Sequence, residues 1–360
     1  MATGGLTRRL LNFALMLVGF IRGGLALASV VASMIFGGIT GSAIADASGL
    51  GAVEIPMMVK SGYSKEFAAA IVGAAACLGP IIPPSIPVII YCMAVRSVSI
   101  GGLFAAGITP GVLIGLALMA TACIISRKRQ YPKREHGISK REFVISLKDT
   151  SLAILMPLII LGGILSGIFT PTEAAAVSAV YAFVVTYFVY RELRLSDLPG
   201  MFLRTGVTSA AVMIIIGTSN IFGMVLAFEQ VAMKLETLLR PMGYYPFILA
   251  VNIVFLICGC LMDFGPAILI LAPVFAPIAE HLGIHPIHFG MVVIVNLVIG
   301  LITPPVGQVL FVVGPLAGVS FENLVKEIIP FMLIELFVLL LISYIPILTL
   351  FVPNLLGYVR

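Results

Sequence analysis

Hydrophobic residues follow one another along this chain in runs of about 20, the length a helix needs to cross a bilayer. The runs lack the strict alternation of a membrane β-strand, so helices are predicted throughout. The first predicted elements are an apolar stretch interrupted by small residues (24–58), a proline-broken helix (66–95) and a long helix (102–126). Spans at 150–168, 172–190 and 206–228 follow. A second set then repeats the first: an interrupted stretch (245–278), a broken helix (288–316) and a long helix (323–351). The predicted fold class is an all-α polytopic membrane protein.

The interruptions carry most of the information. GPIIPPSIPVII at 79–90 and GLITPPVGQVLF at 300–311 place paired prolines inside apolar runs. A shift of 221 positions carries Gly79 onto Gly300 and Pro83-Pro84 onto Pro304-Pro305. The same shift aligns Pro56 with Pro277, Gly62 with Gly283 and Val98-Ser99 with Val319-Ser320. Glycine and proline specify backbone breaks, so their register marks structural repeats rather than shared greasiness. The predicted organisation is a first repeat (1–126), a basic loop (127–149), connecting scaffold helices (150–244) and a second repeat (245–360).

Composition agrees: 60% of residues are hydrophobic and 10% charged, with a mean hydropathy of +1.17. Soluble domains carry about 25% charged residues. The net charge of +5 reports topology rather than nucleic-acid binding, because the basic residues flank the apolar runs. If both interrupted stretches are re-entrant hairpins, 17 of the 21 basic residues share one side, leaving only Arg96, Lys234, Arg240 and Arg360 opposite. That side is expected to be cytoplasmic, which makes the repeats inverted. The five cysteines lie in apolar runs and form no CxxC pair. Arg8-Arg9 before an apolar run has no small-residue cleavage site after it, so a membrane helix is expected there. HExxH, GxSxG and P-loop motifs are absent from the sequence.

Paired prolines free backbone carbonyls, and unpaired polar backbone in lipid is tolerated only inside protein or beside a wet cavity. Carbonyls of 79–84 and 300–305 are therefore candidate oxygen ligands for a cation such as Na+, and half-helix N-termini suit an anionic substrate. In GGITGSAIADASG, Thr40, Ser42 and Ser48 add hydroxyls and Asp46 a carboxylate. Asp263 takes the position of Ser42 in the second repeat; it reads either as a site residue or as a helix cap. For Thr40 and Ser42 the alternative is close packing of small residues. Thr218 and Asn220, in GTSN at 217–220, can face the same cavity. Thr170-Pro171-Thr172-Glu173 reads as a capping box, and the His281, His285 and His288 set is broken by Gly283 and Pro286.

The stretches ITGSAIADASGLGAVEIPMM, GPIIPPSI, FTPTEAAAV, IHPIHFG and NLVIGLITPPVG resemble the large membrane subunit of TRAP (tripartite ATP-independent periplasmic) transporters, the DctM-like M subunit, over essentially the whole chain. That resemblance implies an elevator-type permease in a bacterial or archaeal inner membrane, in which two hairpins move against a scaffold. It implies Na+-driven uptake of an organic acid, such as a C4-dicarboxylate or sialic acid. The implied partners are a small four-helix membrane subunit and a periplasmic binding protein. It further implies ion sites at Thr40, Ser42, Gly79, Ile82 and Pro84, with counterparts at Asp263, Gly300, Thr303 and Pro305. Ser42, Ser85 and Asp263 would lie near substrate. Family members carry further helices before the position of Met1, which implies a misassigned start, a fragment or a partner-supplied scaffold. Two other functions fit the residues: an intramembrane enzyme using Asp46 with Asp263, and a passive channel.

Overall fold

The computed structural model describes residues 5–132, 140–230, 234 and 243–359, and every regular element among them is helical. Part of the predicted basic loop (133–139) and of the scaffold (231–233 and 235–242) lies outside the described residues.

The first interrupted stretch is a hairpin of helices. Its entering arm, Gly24–Thr40, stops at Gly41, whose φ of 63° is a left-handed conformation that glycine adopts without strain. Ser42 then turns extended and caps the returning arm through the Ala45 N–H. That arm comprises Ala43–Gly49 and Gly51–Lys60, and the helical backbone of Leu50 carries the first piece into the second. Ser64 caps Lys65–Ala76, which ends before the break; Ser85 caps Ile86–Ala94 after it. Ser99 caps the long helix Ile100–Lys128. An additional helix, Gly5–Val18, packs along the entering arm.

The second set has the same order: Tyr244–Leu261, Phe264–His281, Pro286–Gly300, Leu310–Ala317 and Phe321–Tyr344. Shifted by 221, the starts at Gly24, Ala43, Lys65 and Ile100 fall within one residue of those at Tyr244, Phe264, Pro286 and Phe321. One prediction needs correction: the long helix expected over 323–351 is not continuous. It ends at Tyr344, and Ile347–Leu355 continues at 63° to it. The cause is Pro346, which disfavours helical geometry in the residue before it; Ile345 sits at φ −122°, ψ 82°.

The two long helices run antiparallel. Arg129, just past the end of the first, pairs with Glu327 near the start of the second. At the other end, Gly101 of the first lies against the Tyr358 hydroxyl. The hairpin bases follow the same opposition. Ser64 meets Tyr131 at the first end, whereas His288 bonds Thr349 at 2.7 Å at the other. Between them lie Lys65–Ala76 and Pro286–Gly300, buried from Phe67 to Ala76 and from Ile287 to Gly300. The Cys77 thiol donates to the Val298 carbonyl at 3.6 Å and joins the two broken helices.

Between the two sets of helices run Lys140–Leu165, Pro171–Val184 with a π-turn over Val185–Val189, and Leu198–Phe228. The first begins ten residues before the predicted 150, so helix replaces part of the expected loop. The capping box forms: Thr170 N–H donates to Glu173 at 2.8 Å, and Glu173 N–H to the Thr170 hydroxyl at 3.3 Å. Five described helices are long and apolar enough to cross a membrane, or six if the bent pair is one span.

Candidate functional site: hairpin tips seated in helix breaks

The first hairpin tip lies in the first break, and glycines make the fit possible. A Cβ on Gly37 would fall 2.6 Å from the Gly79 Cα, and one on Gly41 2.9 Å from the Pro84 carbonyl oxygen. Only hydrogens fit in those gaps. Asp46 is fully buried one turn along the returning arm. Thr40 donates its hydroxyl hydrogen to Asp46 Oδ1, while Asp46 Oδ2 has no partner among the described residues. Oδ2 rests on Gly79, where an added Cβ would sit 2.3 Å from it. Thr40, Ser42, Asp46, Gly79 and Pro84 are thus brought together.

Each hydroxyl there already has a local task. Ser42 Oγ accepts the Ala45 N–H at 3.4 Å, and Thr40 Oγ1 accepts the Ser42 N–H at 3.4 Å. Ser85 is buried; it donates to the Pro80 carbonyl and accepts the Val88 N–H at 3.3 Å. Ile82 closes the last turn before the prolines through its N–H to Leu78 O at 2.8 Å, and its side chain lies against Gly111 of the long helix. Ser48 is exposed, with its hydroxyl on the Ala45 carbonyl.

The second tip repeats the seat with different chemistry. A Cβ on Gly300 would lie 2.4 Å from the carbonyl carbon of Gly259, in the entering arm. Asp263 holds the N-cap position of Phe264–His281 and faces the N–H groups of Phe264 and Gly265, but closes no capping hydrogen bond. Its Oδ1 is buried and unpartnered among the described residues. The cap alternative for Asp263 is therefore met in position and not in bonding. Thr303 N–H reaches the Gly300 carbonyl at 3.0 Å and its hydroxyl the Ile299 carbonyl at 2.8 Å; Pro305 is exposed. Gly265 approaches Ile90, so the second tip also borders the helix that leaves the first break.

The remaining candidates lie on a helix, Leu198–Phe228, that packs against Phe264–His281. Thr218 is exposed on Leu198–Phe228 and spends its hydroxyl on the Ile214 and Ile215 carbonyls at 2.9 and 3.0 Å. The Asn220 side chain lies outside the described residues. Asp46 and Asp263 share no hydrogen bond among the described residues. His285 accepts the Ile287 N–H at 3.2 Å, which gives it a capping role. Sequence reading missed Glu54, buried and bonded by Ser29, and the buried set Asn252, Asn296 and Ser343. It also missed Glu335. In each case the available signal was a polar residue within an apolar run.

Comparison with known proteins follows the same lines. Residues 1–348 match the family model described as "Tripartite ATP-independent periplasmic transporter, DctM component". The chain is 45% identical to a C4-dicarboxylate TRAP transporter large permease protein of Pseudomonas aeruginosa over 99% of its own length and 84% of the relative's. It is 40% identical to a sialic acid TRAP transporter large permease protein of Vibrio cholerae, again over 99% and 84%. Among solved structures, the Alcanivorax borkumensis YdaH transporter superposes with a TM-score of 0.57 at 15% identity, covering 99% of this chain and 85% of that one; this likeness bears on fold alone.

Proposed function

The chain belongs to the DctM component family of tripartite ATP-independent periplasmic transporters, a membrane transport component rather than an enzyme, and from that premise we propose that it is the large permease subunit of a Na+-coupled importer of an organic acid. The observation that carries this reading is the pair of hairpin tips seated by glycine on two helix breaks. Carbonyl, hydroxyl and carboxylate oxygens converge there in apolar surroundings, a donor set that suits a hard monovalent cation.

On this reading Thr40, Ser42, Gly79, Ile82 and Pro84 hold one cation, and Asp263, Gly300, Thr303 and Pro305 take part in a second site. Ser42, Ser85 and Asp263 border the substrate. The relatives' named substrates, C4-dicarboxylate and sialic acid, are both carboxylates, so a carboxylate is the class proposed here. Antiparallel long helices and opposed hairpin bases support an inverted pair of repeats moving as an elevator, with Lys140–Leu165, Pro171–Val184 and Leu198–Phe228 as scaffold. The partners are a small membrane subunit and a periplasmic binding protein, in a bacterial inner membrane.

The test is uptake into proteoliposomes that contain the chain, the small subunit and the binding protein. Substrate is expected to accumulate with an inward Na+ gradient and to stop when choline replaces Na+. Equal uptake in both salts would remove the coupling.

A further inference from the structure

The membrane interior contains a carboxyl that the two tip sites do not use. Glu335 lies midway along Phe321–Tyr344 and is 1% exposed. Neither Oε1 nor Oε2 has a hydrogen-bond partner among the described residues. Its helix packs against Lys65–Ala76, Ile100–Lys128, Pro286–Gly300 and Leu310–Ala317, and more lightly against Tyr244–Leu261 and Ile347–Leu355.

The titratable groups on those elements leave it without a cation. Next to Lys65–Ala76 the group at depth is the Cys77 thiol, within electrostatic reach of Glu335; Lys65 and Glu66 occupy the first turn. On Ile100–Lys128 the basic residues are Arg127 and Lys128 in the last turn, and Cys123 precedes them. Arg129 is committed to Glu327, eight residues or about 12 Å of helix from Glu335. Lys326 lies one residue farther. Pro286–Gly300 brings His288, held by Thr349 at its first turn. Tyr244–Leu261 brings Tyr244, Tyr245, Cys258 and Cys260, and the remaining two helices bring no ionisable side chain. An ionised carboxylate at such a place is shielded from solvent with no cationic side chain at its depth on the helices packed around it, whereas a neutral carboxyl avoids most of that penalty.

We propose that Glu335 is a proton-binding site in the membrane interior, separate from the two hairpin tips, and that its bound proton lets the carboxyl stay buried where the second long helix packs on the first broken helix. The ligand is H+. Releasing it places a charge in that interface, beside Cys77 and two residues before Gly79. Proton occupancy is thereby tied to the geometry of the first break.

The test is infrared spectroscopy of the purified chain in lipid nanodiscs at pH 7, with thermal unfolding in parallel. Wild type minus Glu335→Gln is expected to show a protonated-carboxyl C=O band that shifts in D2O, and Glu335→Gln is expected to keep the wild-type Tm. Glu335→Asp is expected to move that band rather than erase it, which retains a readout if the glutamine variant fails to fold. A carboxylate band lost in Glu335→Gln, or no protonated-carboxyl difference in either variant, would overturn the assignment.

Discussion

Gly300→Ala tests whether a hairpin arm is seated directly on a helix break. The new Cβ would lie 2.4 Å from the carbonyl carbon, 2.6 Å from the Cα and 2.7 Å from the carbonyl oxygen of Gly259. All three are backbone atoms, so no rotamer change relieves the clash. Ordinary contact begins near 3.4 Å, and the arm must therefore withdraw by about 1 Å. Overpacking of this kind costs about 1–3 kcal/mol. The alanine returns about 0.4–1 kcal/mol by restricting the unfolded chain. The net loss is about 1–2 kcal/mol of stability. Ligand positions tolerate roughly 0.5 Å, so the larger consequence falls on ion binding. Gly79→Ala meets Asp46 Oδ2 at 2.3 Å, a side-chain end that can rotate away; it should cost less stability while displacing Asp46 from Thr40. Gly206→Ala on Leu198–Phe228 meets nothing within 4 Å and should gain about 0.5–1 kcal/mol. The assay is thermal unfolding in nanodiscs in Na+ and in choline. A bound ion stabilises by about 2.7 kcal/mol at 100 times its Kd, so the wild-type Tm should rise in Na+. Gly300→Ala should begin lower and lose that rise, and Gly206→Ala should keep it. Equal Tm values and equal sodium shifts for Gly300→Ala and Gly206→Ala would refute the seating of the arm on the break.

Two further outcomes are expected. Asp263→Asn keeps the shape of the N-cap and forfeits no capping hydrogen bond, so its stability in choline should stay within about 1 kcal/mol of wild type while the sodium-dependent rise in Tm disappears; an intact rise would take Asp263 out of the ion site. His285 lies between membrane helices, where burial lowers its pKa below the ordinary value and its Nδ1 accepts the Ile287 N–H. Protonation is then easier in the unfolded chain, so stability present above about pH 6.5 is lost as pH falls toward the folded-state value. Unfolding scans from pH 8 to 5 should show that loss in wild type and a flatter profile in His285→Asn; identical slopes would assign the pH dependence elsewhere.

Much of this geometry was legible as spacing. Gly41, Gly79 and the two Pro-Pro pairs announce where a helix must stop, because glycine and proline act on the backbone of their own segment. The 221-residue register of Gly79 with Gly300 likewise appears in the helix starts. Contacts made across the fold were not legible. Nothing local in ASG at 47–49 or LGP at 78–80 shows that the Asp46 carboxylate rests on Gly79, since that contact depends on how deeply the tip enters the break. Pro346 carried a readable signal, yet the apolar run passes through it without a change in hydropathy, and the 63° bend appears only in three dimensions. Thr218 shows a hydroxyl whose bonding is local: it donates to the carbonyls of Ile214 and Ile215 on its own helix, a pairing that spacing alone allows.

The two seats share backbone geometry and differ in charge placement, and the difference has a physical consequence. In the first, Asp46 stands one turn into the returning arm, bonded by Thr40 and shielded from solvent. In the second, Asp263 stands at the tip itself, half-buried and with no side-chain capping bond. Under the proposed function, a cation arriving at the first seat would meet carbonyls and hydroxyls backed by a fully buried carboxylate, with Oδ1 held by Thr40 and Oδ2 against Gly79. One arriving at the second would meet a half-buried carboxylate at the tip itself, with one unpartnered oxygen. A carboxylate at the tip is reached directly, so it would attract the cation more strongly and repel an anionic co-substrate until that cation is in place. The second seat is thus the one at which cation and carboxylate substrate should depend most on each other, and Asp263→Asn should reduce that dependence more than Asp46→Asn.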